Sequence, residues 1–205
     1  MTALVTAETP RSSRGGRPRD PSRDGVIREA ILRLLGEVGY GALTMDAVAA
    51  EAGVGKATIY RRWRTKQDLV VDTVSVMNKA LATPVDTGSL EGDVRHVVHR
   101  MVDLINGPVG TAIRSLLPAM QHQPALQEAF RNGPLTAWSD SYGRMWAQAE
   151  ARGEISGVRA GDLVSETTTA LLVQRWLLTG EPVTHEYADE TLEMVILPLL
   201  RRLHP

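Results

Sequence analysis

Apolar residues recur at three- and four-residue intervals in segment after segment of this chain, and nowhere do they alternate with polar ones long enough to make a strand. Stripes with that period are buried by packing helix on helix, so the sequence specifies an all-α fold of about nine helices. Ile27, Ala30, Ile31, Leu34, Leu35 and Val38 mark the first helix, with Gly39 as its stop. Thr44 is placed to cap a short second helix ended by Gly53, a third spans roughly 55–63, and Thr65 with Asp68 has the spacing of a capping box that opens a fourth. Residues 82–89, with Pro84 and Gly88, read as a break. Beyond it, helical patterns cover 94–105, 108–121 with a kink expected at Pro118, 124–132, 134–152, 162–178 and 185–203.

The chain is 43% hydrophobic and 23% charged with no long apolar run, which fits one or two soluble domains within 205 residues. It has no cysteine, so disulfides, thiolate nucleophiles and Cys-ligated zinc are excluded. The first twenty residues carry no apolar core of the length a secretory signal needs, and the expected location is cytoplasmic. A net charge of −1 hides an asymmetry: residues 1–66 hold 12 Lys and Arg against 7 Asp and Glu, whereas residues 67–205 hold 11 against 17. Only the front of the molecule is suited to a polyanion.

The stretch AGVGKATIYRRWRTKQDL, residues 52–69, carries the chemistry. Its Gly-x-Gly-Lys is not a nucleotide-binding loop: the first glycine of that pattern would fall on Ala50, the Ser/Thr on Ala57, and a helical pattern precedes it where a buried strand is required. A helix, a Gly-containing turn and a second helix instead make a helix-turn-helix. On the second helix, Ile59 and Trp63 share the inward face, Ala57, Thr58 and Arg61 point away, Tyr60 and Arg62 flank them, and Lys56 lies in the first turn. Small, hydroxyl, phenol and guanidinium groups on an outward face suit the major groove.

The segment Arg23 to Met77, above all LTMDAVAAEAGVGKATIYRRWRTKQDLV, resembles the N-terminal domain of TetR-type bacterial transcriptional regulators. Thr44, Ala47-Val48-Ala49, Ala52-Gly53-Val54, Thr58-Ile59-Tyr60, Trp63 and Lys66-x-x-Leu69 carry the likeness; Trp63 stands where Phe is frequent, and Gly55 where Ser is common. The resemblance implies that Thr44 and Lys66 hold phosphates at the starts of their helices and that Lys56, Thr58, Tyr60 and Arg62 share backbone and base contacts. Ala57 and Arg61 join them on the face argument alone. The arm's GGRPRD resembles short Arg-Gly-Arg-Pro elements that enter the minor groove, through Arg17 and Arg19, although a solvated basic tail accounts for it equally. The expected organisation is a flexible arm over 1–22, a helix-turn-helix domain with a linking helix over 23–81, and a helical effector-binding and dimerisation domain over 82–205.

In that last part, Met101, Leu117, Met120, Phe130, Trp138, Tyr142, Met145 and Trp146 are either a pocket for an apolar or aromatic effector, with His122, Gln121 or Arg175 as polar anchors, or plain core. The final two helices are dense in apolar residues, and Leu171, Trp176, Leu192, Val195, Ile196 and Leu199 are candidates for a dimer interface built as an intermolecular four-helix bundle, the arrangement the resemblance implies. Asp93, His96, His99 and Asp103 have spacings that bring them to neighbouring helical turns, yet read as a solvated, salt-bridged face; no metal and no cofactor is expected. No nucleophile elbow or acid/base pair points to an enzyme. The sequence therefore predicts a homodimeric regulator, most readily a repressor, whose partners are duplex DNA, a small effector and a second copy of itself, with no membrane. An effector-independent architectural DNA-binding dimer is the alternative.

Overall fold

The computed structural model describes residues 21–77, 85–156 and 163–203, and all the regular structure in them is helical. Helix α1, Pro21–Ala42, buries Ile27, Ala30, Ile31, Leu34 and Leu35 along one stripe. The nearly inaccessible side chains of Ile27, Ile31 and Leu35 each contribute about 1.5–3 kcal/mol relative to exposure. Gly39 breaks the helical path at φ 71° and ψ 169°, a conformation closed to other residues, so the chain turns and sends Tyr40 and Leu43 inward. Val38, expected on the inward stripe, is left exposed.

Three short helices follow, α2 over Met45–Glu51, α3 over Lys56–Tyr60 and α4 over Lys66–Val76. Thr44 caps α2 by accepting from the Ala47 amide at 3.1 Å. Thr65 and Asp68 form the anticipated reciprocal box at the start of α4: the Thr65 hydroxyl accepts from the Asp68 amide, and the Asp68 carboxylate accepts from the Thr65 amide.

The C-terminal helices are α5, Leu90–Asn106; α6, Pro108–Met120; α7, Pro124–Phe130; α8, Thr136–Ala151; α9, Leu163–Gln174; α10, His185–Thr191; and α11, Leu197–Leu203. Helix α6 continues two residues past Pro118, which lies in its last turn. Wider π-helical turns over Arg131–Leu135, Arg175–Thr179 and Leu192–Ile196 lead into α8, follow α9, and join α10 to α11.

The apolar interior has two parts that do not follow chain order. The first joins α1 to α4 with Ala112 and Leu116 of α6 and Leu126 and Ala129 of α7. The second joins α5 with α8, α9, α10 and α11. Helix α1 lies along α6, and α4 packs against α7. Tyr40 clasps the same junction, its hydroxyl donating to Gln123 Oε1 at 2.7 Å. Two helices beyond the expected break at 82–89 are thus built into the core of the helix-turn-helix.

Candidate nucleic-acid interface

Ala52 and Gly53 end α2, with Gly53 at φ 61° and its amide donating to Ala50 O. Two residues later Gly55 opens α3 without a side-chain cap. Ile59 is completely buried and Trp63 nearly so, its indole nitrogen donating to Asp72 at 3.2 Å. These anchors fix the rotation of α3, leaving Lys56, Ala57, Tyr60 and Arg61 exposed and Thr58 half-buried. Tyr60 is 51% exposed, a large aromatic with no packing reason to be there.

Arg62 and Lys66 are turned differently from the expected outward presentation. Arg62 is partly buried, ion-paired to Asp24 of α1, with its guanidinium 5.9 Å from the Trp63 ring centre. Lys66, the first residue of α4, donates through Nζ to Tyr40 O at 2.8 Å and Gly41 O at 3.1 Å, over the Tyr40 ring. Both cations brace α3 and α4 against α1. Thr44 is exposed at the head of α2, its hydroxyl engaged as the cap. Lys56 Nζ donates to Asp46 Oδ2 of α2 at 2.5 Å, which raises the Lys56 pKa above its ordinary value. Sequence reasoning missed Asp46, Asp24 and Tyr40; opposite charges flanking one turn were the available signal for the first. Arg17 and Arg19 lie outside the described residues.

The helix-turn-helix is matched by the family description "Bacterial regulatory proteins, tetR family" over residues 27–73, and residues 84–195 match "Tetracyclin repressor-like, C-terminal domain". The chain belongs to the TetR family. An uncharacterized HTH-type transcriptional regulator of Mycobacterium tuberculosis is 34% identical over 193 residues, covering 91% of this chain and 94% of that protein. A DNA-binding transcriptional repressor of Mycobacteroides abscessus is 27% identical, covering 89% and 96%. The solved structure of the flavonoid-responsive regulator FrrA superposes with a TM-score of 0.65 at 20% identity, covering 91% of this chain and 99% of that one. The TetR family comprises transcriptional regulators rather than enzymes.

Within this TetR-family chain the side chains expected around an effector divide between two cores and the surface. Met101, Trp138, Tyr142 and Trp146 belong to the second core, where Trp138 donates to Thr169 and Trp146 to Ser165, knitting α8 to α9. Burial, partly offset by the Thr169 and Thr168 hydroxyls, pushes the Tyr142 phenol up to about 12. Met120 and Phe130 pack on the first core instead, because α6 and α7 are committed to α1 and α4. Leu117 is half-buried on α6, and His122 is exposed just after it. Arg175 staples the turn before α10: it donates to Pro182 O, pairs with Glu181 and lies over the Tyr187 ring at 4.1 Å.

The interface candidates divide as well. Leu192 and Ile196 have no exposed surface and are core of their own subunit, so they cannot meet a partner directly. Leu171, Trp176 and Leu199 are half-buried, and Val195 is exposed. The π-helical turn over Leu192–Ile196 puts both of its end residues inside and thrusts Met194 and Val195 out. Together with Leu163 and Leu178 they are large apolar side chains facing water.

The anticipated solvated face on α5 is only partly so. His99 meets Asp189 at 2.8 Å and His185 meets Asp103 at 2.8 Å, but Asp93 is fully buried and held by Arg152 and Thr87. Among the described residues no three His, Asp or Glu side chains are grouped to hold a metal ion, and no helix is long and apolar enough to cross a membrane.

Proposed function

We propose that this TetR-family chain is a homodimeric repressor that grips an approximately palindromic operator and releases it when a small apolar or aromatic molecule binds its C-terminal helices. The observation that carries the DNA half is the orientation of α3: Ile59 and Trp63 lock it from within while Lys56, Ala57, Tyr60 and Arg61 stand in solvent on its other side. An outward face of that composition supports insertion into a major groove. Thr44 and Lys66 at the heads of α2 and α4 would meet flanking phosphates, Lys66 by exchanging its carbonyl partners. Arg62 would act chiefly by fixing α3 against α1.

The exposed Leu163, Leu178, Met194 and Val195 support a dimer face on α9 and the α10–α11 unit. Two copies of α3 would then read half-sites with centres about 34–36 Å apart. Repression is suggested by the Mycobacteroides relative's description as a repressor, and responsiveness to an aromatic molecule by that of FrrA. An effector changes operator affinity only through unequal affinity for two conformers, so DNA must weaken effector binding by the same factor.

The test is capture of fragmented genomic DNA from the source organism at moderate salt, compared with Tyr60→Ala. The expected result is a small set of fragments sharing an inverted repeat, retained by the wild type and lost by the variant. Indiscriminate recovery that collapses with salt would reduce the interaction to backbone neutralisation and refute the operator reading.

A further inference from the structure

The Lys56–Asp46 pair is hard to account for as a contribution to stability. Its side chains are 66% and 51% exposed, and ion pairs so open to water stabilise a fold by little or nothing. It nevertheless lies on the face proposed to meet DNA, joining the first turn of α2 to the first residue of α3. The Arg62–Asp24 pair behaves differently, its side chains 15% and 21% exposed, a brace inside the domain, and Arg33–Glu51 ties the end of α2 back to α1. Lys56 is the cation on the outward side of α3 that is held by a carboxylate open to exchange.

We propose that Asp46 is a specificity-determining residue: its carboxylate holds the Lys56 ammonium out of the general attraction to phosphate and yields it only when α3 is fully seated. The inference rests on the reading that the α2–α3 face meets DNA. Phosphate attraction is the same on every sequence, so each uncommitted lysine raises non-operator binding as much as operator binding. A loosely docked backbone must compete with a carboxylate 2.5 Å from the ammonium and is itself repelled by that carboxylate. Complete insertion brings phosphate or base-edge acceptors close enough to take Lys56 over. Contacts from Ala57, Tyr60 and Arg61 do not pass through the pair. The acid therefore lowers wrong binding more than right binding, a repulsive element in the sense that specificity generally needs.

The experiment measures the affinity of the full chain for a labelled random-sequence duplex between about 50 and 200 mM salt, for the wild type, Asp46→Asn, Asp46→Glu, Lys56→Gln and the Asp46→Asn/Lys56→Gln double variant. One additional neutralised phosphate steepens the salt slope by about 0.9, worth up to about eightfold in affinity at 0.1 M salt. Asp46→Asn is expected to show that steepening and a gain of about three- to eightfold, Asp46→Glu to stay near the wild type, and the gain to vanish in the Lys56→Gln background. In competition with operator fragments, Asp46→Asn discriminates less well. An unchanged slope in Asp46→Asn, or an equal gain with and without Lys56, overturns the proposal, the latter reducing Asp46 to one more negative charge. Failure of the wild type to bind any duplex removes the DNA reading itself and this inference with it.

Discussion

Replacing Arg152 with Met keeps an unbranched apolar stem while removing the guanidinium that reaches Asp93 Oδ2 at 2.8 Å. Asp93 has no exposed surface, and its other carboxylate oxygen accepts from the Thr87 amide at 2.6 Å and the Thr87 hydroxyl at 2.8 Å. Orphaning one member of a buried pair costs about 3–5 kcal/mol. Here Arg152 is 23% exposed and Thr87 goes on donating, and the further pairs of Arg152 with Asp86 and Glu154 are open to water and add little, so about 2–3 kcal/mol is the better expectation. In a chain of this size that lowers Tm by about 5–10 °C.

The pH dependence carries the sign. Burial raises the Asp93 pKa, but hydrogen bonds from the Thr87 amide, Arg152 and the Thr87 hydroxyl outweigh it and leave the carboxyl below its ordinary value. A group lowered on folding contributes stability above its unfolded pKa, near 3.9, and loses that contribution as pH falls through the folded value. The gap between wild type and Arg152→Met is therefore full at neutral pH and narrows below about pH 4. Thermal unfolding followed by circular dichroism at neutral and acidic pH measures it. A Tm within about 2 °C of wild type at neutral pH, or a gap that does not change with pH, would refute the reasoning.

Thr44→Ala removes the cap of α2 and costs about 1 kcal/mol in denaturant unfolding, and it weakens operator binding beyond what that loss of folded protein explains. Tyr40→Phe deletes only the hydroxyl that donates to Gln123 and lowers stability by about 0.5–1.5 kcal/mol, measured the same way. Leu178→Glu and Leu192→Ala should separate by assay. The first gives a folded monomer in light scattering, whereas the second remains dimeric but loses about 2–5 kcal/mol of stability through a core cavity. If Leu178→Glu stays dimeric, the partner sits elsewhere.

What the sequence made legible was local. Thr44 and the Thr65–Asp68 box satisfy amides three residues away, and Ile59 with Trp63 share a face within one turn, so neighbouring letters suffice to find them. The partners of Arg62 and Lys66 are 38 and 26 residues distant, and no spacing rule connects them. Leu192 and Ile196 are interface candidates on apolar density and the resemblance, and density does not tell a core face from a partner-facing one; both lie at the ends of the wider turn and are buried. Asp93 on α5 reads as surface from its charge alone, and the Arg152 that lets it be buried lies 59 residues later. Grouping Met120 and Phe130 with Trp146 followed their composition; which core each one entered was decided by α6 and α7 leaning on α1 and α4.

That leaning has a consequence for anyone who would exchange parts among such regulators. A transplant cut between α4 and α5, at the break expected from the sequence, would strip Ala112, Leu116, Leu126 and Ala129 from the core they complete and uncover the side of α1 that lies along α6. The reading head that can travel between proteins is α1 to α4 together with α6 and α7, an assembly discontinuous in sequence. A chimera that respects this boundary must thread α5 from one parent between pieces of the other, so the two cores of this chain do not separate at a single cut.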